Sequence, residues 1–96
     1  MNNNIFVFAT IRPKGEHAHA AQNALLGMQP ETWNEKGCVQ FEIHESEDGT
    51  LIHLYEEWTS KEALNKHHQE AHTKKVAKDF ESWLSGPTTV SIMKKL

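Results

Sequence analysis

Seven histidines lie in a 96-residue chain, and three of them, His67, His68 and His72, fall within six positions. Histidine is the side chain whose ordinary titration lies closest to neutrality, so such a cluster can move protons or hold a metal. On an ideal helix His68 and His72 are i and i+4, neighbours on one face. A metal there would need a third ligand, for which His44, His53 and Glu56 are the candidates. Exposed helix histidines explain the pair more simply, and no metal or other cofactor is expected. His67 and His72 stand about 140° apart on a straight helix, so they converge only if the helix bends between them.

Glu56 is the carboxylate to set beside them. Alternation along Leu51 to Trp58 puts it on one strand face with Ile52, Leu54 and Trp58. A carboxylate buried there needs a partner, which predicts a histidine or a backbone group against it. A Glu–His pair is a sensible general base; it is equally a hydrogen bond that fixes a helix on a sheet. Trp58 can line an apolar pocket or simply fill the core.

Other reactive residue types carry less. His17 and His19 lie on different sides of a helix and are expected in solvent. Cys38 is the single cysteine, which excludes an intramolecular disulfide and fits a reducing compartment. It reads as a small buried residue rather than a nucleophile. Ten Lys+Arg against thirteen Asp+Glu give a net charge of −3, against a nucleic-acid partner. The start of the chain lacks signal-peptide features, and no run approaches the roughly 18 apolar residues that span a bilayer. A cytoplasmic protein without a membrane partner is the expectation, folded as one domain over residues 1–96.

The elements that must position these groups read as follows. Residues 4–12 form a strand that is apolar on both faces, with Ile5, Val7, Ala9 and Ile11 on one and Phe6 and Phe8 on the other. Ala18, Ala21, Leu25 and Met28 mark a helix from Glu16 to about Met28. Pro30 separates it from a short helical piece over Glu31–Glu35, and Lys36-Gly37 closes that piece. Cys38–Glu45 is a strand with Val39, Phe41 and Ile43 on one face. Asp48-Gly49 turns the chain into a second strand, Leu51–Trp58. Thr59-Ser60-Lys61-Glu62 predicts a capping box on Thr59 and Glu62. Helix continues from there towards Ala71, and Val76, Phe80, Trp83 and Leu84 extend it, directly or after a bend. Thr88 to Met93 is the last strand.

This β-α-β-β-α-β order predicts an α+β, ferredoxin-like fold with strands in the order 4-1-3-2 and both helices on one face. The other face would then be bare, although strand one is apolar on both sides. Two sheets packed face to face in a homodimer, a dimeric α/β barrel, resolve this. Tyr55, opposite Glu56, would point to the partner. Phe6, Phe8, Phe80, Trp83 and Trp33 are expected in the core or at that contact.

The run Leu54-Tyr55-Glu56-Glu57-Trp58-Thr59-Ser60-Lys61-Glu62-Ala63-Leu64, followed by His67 and His72, resembles the third strand and next helix of the antibiotic biosynthesis monooxygenase family. Glu35-Lys36-Gly37-Cys38 with Phe41 resembles that family's lead into strand two. Arg12-Pro13-Lys14-Gly15 stands where its Lys-Pro-Gly turn falls, with Pro13 before rather than after the lysine. Glu70-Ala71 replace a small residue and a proline often found before the second histidine.

The resemblance implies a cofactor-independent monooxygenase that uses O2 on a small aromatic or quinol-type molecule. It implies Glu56, His67 and His72 as catalytic residues, beside a pocket formed by Trp58, Leu54, Phe8 and His68. It also leaves room for a proton-shuttling isomerase, for a non-catalytic ligand-binding or stress-response dimer, and for a haem-binding relative. The last would pair Trp58 with His67 or His68, but residues 5–12 lack the asparagine that such relatives use.

Overall fold

The computed structural model describes residues 3–96. Its elements are β1 (Ile5–Ile11), α1 (Ala18–Trp33), β2 (Cys38–Glu45), β3 (Ile52–Trp58), α2 (Lys61–His67), α3 (Ala71–Trp83) and β4 (Thr89–Met93), with a 3-10 turn over Gly15–His17 before α1. The four strands form one antiparallel sheet in the order β2-β3-β1-β4, which is 4-1-3-2 read from the other edge. This is the ferredoxin-like α+β arrangement.

The inner face of the sheet carries Val7, Ala9, Ile11, Phe41, Ile52, Leu54 and Trp58, all buried against Leu25 and Met28 of α1, Leu64 of α2 and Val76 of α3. The outer face is open: Phe8 is 42% and Tyr55 37% exposed. Phe6, on the same outer side, is buried, with Tyr55 stacked beside it and the Lys95 ammonium above its ring.

Three local expectations change. The helix does not stop before Pro30, because α1 runs unbroken to Trp33. Pro30 lies on its exposed side, so the amide bond that proline forfeits falls where water can replace it. Val39 does not share a buried face with Phe41. A register shift between Cys38 and Gln40 turns Val39 outward, 53% exposed, while Phe41 keeps its place opposite Glu56.

The third change is at the start of α2, where Ser60 and not Thr59 is the N-cap. Its side chain accepts from the Ala63 amide at 3.1 Å. Thr59 lies one residue before the cap, its amide donating to the Gly37 carbonyl at 2.9 Å. Trp33, expected in the core or at a subunit contact, is half exposed, its indole N–H donating to the Phe41 carbonyl at 3.1 Å.

Candidate functional site

The chain breaks helix after His67. Residues 68–70 connect α2 to α3, and Glu70 is extended (φ −69°, ψ 145°). This bend brings His67 and His72 together, their rings 6.3 Å apart. What holds them is Glu35. Its Oε2 lies 2.8 Å from His67 Nδ1 and 2.6 Å from His72 Nε2. All three side chains are shielded, with 4% of His67, 7% of Glu35 and 13% of His72 exposed. A carboxylate only accepts, so both ring nitrogens carry their hydrogens towards it. Thr73 Oγ1 adds a longer contact to His67 Nδ1 at 3.4 Å.

Glu35 comes from the short link between α1 and β2, and Gly37 sets its position. Gly37 has φ +96°, a left-handed conformation that favours glycine. A Cβ there would meet Ala63 Cβ at 2.6 Å and Thr59 Oγ1 at 2.9 Å. The link can therefore lie directly on the start of α2, which carries His67 at its other end.

Glu56 does not pair with a histidine or with the backbone. Its Oε1 accepts from the Trp58 indole N–H at 2.9 Å, a bond between neighbours on the same strand face. Burial pushes the Glu56 carboxyl up to about 7; the Trp58 bond works against this, and the charge of Glu35 adds to it. His67 moves the other way. Burial lowers it below its ordinary value, while the Glu35 hydrogen bond and charge pull upward. Its ring lies on the Trp58 indole, centroids 4.6 Å apart. Cys38, half-buried, is pushed up to about 11 by burial and by the charges of Glu35 and Glu56, so its thiol stays protonated.

Between the inner sheet face and the helices lies a cavity of about 240 Å³, with walls that are largely apolar: Val7, Ala9, Leu25, Leu54, Val76 and Phe80. Glu56, His67, His68 and Thr73 also line it. Two nitrogen and oxygen atoms matter most. Glu56 Oε2 and His67 Nε2 have no protein hydrogen-bond partner, yet no sealed-off side-chain nitrogen or oxygen among the described residues lacks one. Neither atom is fully sealed off, and both side chains line the cavity.

Of the residues expected here, Glu56, His67, Leu54 and His68 meet at the cavity. Trp58 is fully buried behind it, supporting Glu56 and His67 rather than lining the space. His72 lies behind Glu35 and faces a separate cleft. Phe8 is on the outer face of the sheet, stacked on His53, and is not brought to the site. His44 and His53 form a cross-strand pair on β2 and β3, and His17 stacks on Trp83. Glu35 was missed as a site residue; the Glu35-Lys36-Gly37 run, a carboxylate ahead of a glycine in a tight link, was the signal that could have found it.

The pattern of the family described as "Antibiotic biosynthesis monooxygenase" matches residues 4–79. The chain is 27% identical to the "Putative monooxygenase Rv0793" of Mycobacterium tuberculosis, over all of this chain and 95% of the relative. The solved structure of Rv0793 superposes with a TM-score of 0.94 over 98% of this chain and 96% of that one, at 26% identity. PA3566 of Pseudomonas aeruginosa gives 0.92 at 25% identity, over 100% and 97%. A "Putative antibiotic biosynthesis monooxygenase from Nitrosomonas europaea" shares the fold, with a TM-score of 0.93 at 21% identity over 100% and 93%.

Proposed function

The chain belongs to the antibiotic biosynthesis monooxygenase family, and within it we propose that this protein is a cofactor-independent oxygenase of a small phenolic or quinol-type aromatic. One observation carries the reading: an apolar cavity of about 240 Å³ lined by Glu56 and His67, whose Oε2 and Nε2 make no hydrogen bond within the protein. The volume is a little under the ~300 Å³ lower end of usual ligand sites, which suits one or two fused rings.

With Nδ1–H fixed on Glu35, the neutral His67 ring presents its Nε2 lone pair as a base. Glu56, raised to about 7, is still substantially protonated near neutrality and serves as the acid. The partners are therefore O2 and the aromatic substrate. Nε2 takes the phenolic proton, and the phenolate passes one electron to O2. The resulting ring radical and superoxide join at a ring carbon. Glu56 protonates the peroxide, and the O–O bond breaks as that carbon loses its hydrogen to Glu56. The proton held by His67 completes the departing water. One oxygen atom becomes the new carbonyl and the other leaves as water, so the phenol has become a quinone. Glu35 and His72 act through His67 as positioning residues, and the apolar walls keep competing water from the phenolate.

The exposed outer face, with Phe8 and Tyr55, supports a homodimer joined sheet to sheet. Light scattering should return twice the 11.0 kDa chain mass; a mass of one chain would overturn it. The test of the reaction is oxygen uptake across a panel of naphthols and quinols. Glu56→Gln and His67→Gln should each slow uptake by about 10²–10⁴-fold, the usual contribution of a positioned acid or base. Equal rates in wild type and variants, or no protein-dependent uptake with any member of the panel, would contradict the proposal.

A further inference from the structure

Glu35, His67 and His72 do more than hold a ring in place. Their three ligand atoms, one carboxylate oxygen and two imidazole nitrogens, lie within 4.8 Å of one another, on shielded side chains from the α1–β2 link, α2 and α3. Two histidines and one carboxylate are a donor set that divalent first-row metals take up. At metal–ligand distances of about 2.0–2.1 Å, tetrahedral donors sit ~3.3 Å apart. The present separations of 2.8 and 2.6 Å from Glu35 Oε2 therefore need to open by about 0.5 and ~0.7 Å. Two N–H hydrogens now fill the space in which an ion would sit.

The surroundings supply part of what such a set requires. A metal-bound imidazole carries its hydrogen on the other nitrogen and gives it to a second group. On His72 that nitrogen is Nδ1, and Glu31 Oε2 stands 3.7 Å from it. On His67 it is Nε2, which is free of protein partners and not fully sealed off. Each neutral ring would move its hydrogen from one nitrogen to the other, with no net loss of a proton. Thr73 Oγ1 lies at the edge, beside His67 Nδ1.

We propose that Glu35, His67 and His72 form a binding site for one divalent transition-metal ion of the zinc class, with Glu31 orienting His72. Resting on the oxygenase reading, this has a consequence for the cavity. Metal on Nδ1 leaves the His67 hydrogen on Nε2, so the nitrogen that served as base becomes a donor. The ion would silence the oxygenase rather than assist it.

The test titrates cobalt(II) into metal-stripped, tag-free protein, reads the visible d–d absorption, and then displaces cobalt with zinc. One equivalent should bind. Glu35→Gln and His72→Gln should each weaken binding more than about tenfold, and Glu31→Gln by about tenfold. His44→Ala, on the far side of the sheet, should bind as wild type does. Zinc should raise the melting temperature of wild type and not of Glu35→Gln, which also shows that the variant folds. No tetrahedral spectrum, or equal affinity in Glu35→Gln and His72→Gln, would overturn the site. Stoichiometric binding with undiminished oxygen uptake would uphold the site and remove His67 from the oxygen reaction. If no substrate consumes oxygen, the cobalt spectrum alone still decides the metal question.

Discussion

Two shielded carboxylates stand on either side of His67, and the protein treats them differently. Glu56 is anchored by a single donor from its own strand, the Trp58 indole. Glu35 is anchored by two donors from two other helical segments, His67 of α2 and His72 of α3. A carboxylate's charge in an apolar setting is supported by the hydrogen bonds aimed at it. With one such bond against strong desolvation, Glu56 is pushed up to about 7. With two, Glu35 is tied into a network that also sets which nitrogen of His67 faces the cavity. The difference fits the proposed roles, in which Glu56 exchanges a proton and Glu35 holds a neighbour still.

Removing Glu35 should have the largest effect. Glu35→Ala should cost roughly 3–5 kcal/mol, because two shielded N–H groups lose their acceptor together. Urea unfolding measures this, and a loss below about 1 kcal/mol would mean that the pair is not held as described.

Glu56→Gln should act in the opposite direction. The folded value of about 7 lies above the ordinary 4.5, so the native state binds this proton more tightly. That contribution is complete below the unfolded value and is lost as pH rises from 4.5 towards 7. At about pH 8 the glutamine variant should therefore be more stable than wild type by on the order of 3 kcal/mol. His67 has the opposite sign. Its folded value is lowered, so its contribution is present above its ordinary 6.5 and is lost as pH falls below that. Unfolding of Glu56→Gln followed against pH should expose this slope without the opposing one.

Smaller effects sharpen the same contrast. Trp58→Phe keeps most of the packing and removes the donor to Glu56, so the Glu56 carboxyl should titrate higher still and stability should fall by about 1–3 kcal/mol. His72→Asn removes one of two donors to Glu35 and should cost about 1 kcal/mol, leaving the His67 contact in place.

The Glu56 half of the site was legible in the sequence because it is local. Strand alternation from Ile52 to Trp58 puts Leu54, Glu56 and Trp58 on one buried face, and the structure agrees. The partner of Glu56 was less so, since the Trp58 indole reaches it only in the rotamer that tertiary packing selects. The convergence of His67 and His72 was readable as a condition, a bend, and the extended Glu70 meets it. Glu35 was not legible as their clamp. Its position depends on a left-handed Gly37 packed on Ala63, a contact between residues 26 apart in the chain. Expected strand faces also slipped where the bulge at Cys38/Gln40 turned Val39 outward. Phe8 followed the alternation rule faithfully, which places it on the opposite face from the cavity.

If Glu35 fixes the hydrogen of a neutral His67 on Nδ1, Nε2 is left bare towards the cavity. Nitrogen-15 NMR of the imidazole rings in metal-stripped protein near neutral pH measures this directly. The expected result is a protonated Nδ1 and a bare Nε2 for His67, with that preference lost in Glu35→Ala. A hydrogen on Nε2, or a doubly protonated ring, would contradict it.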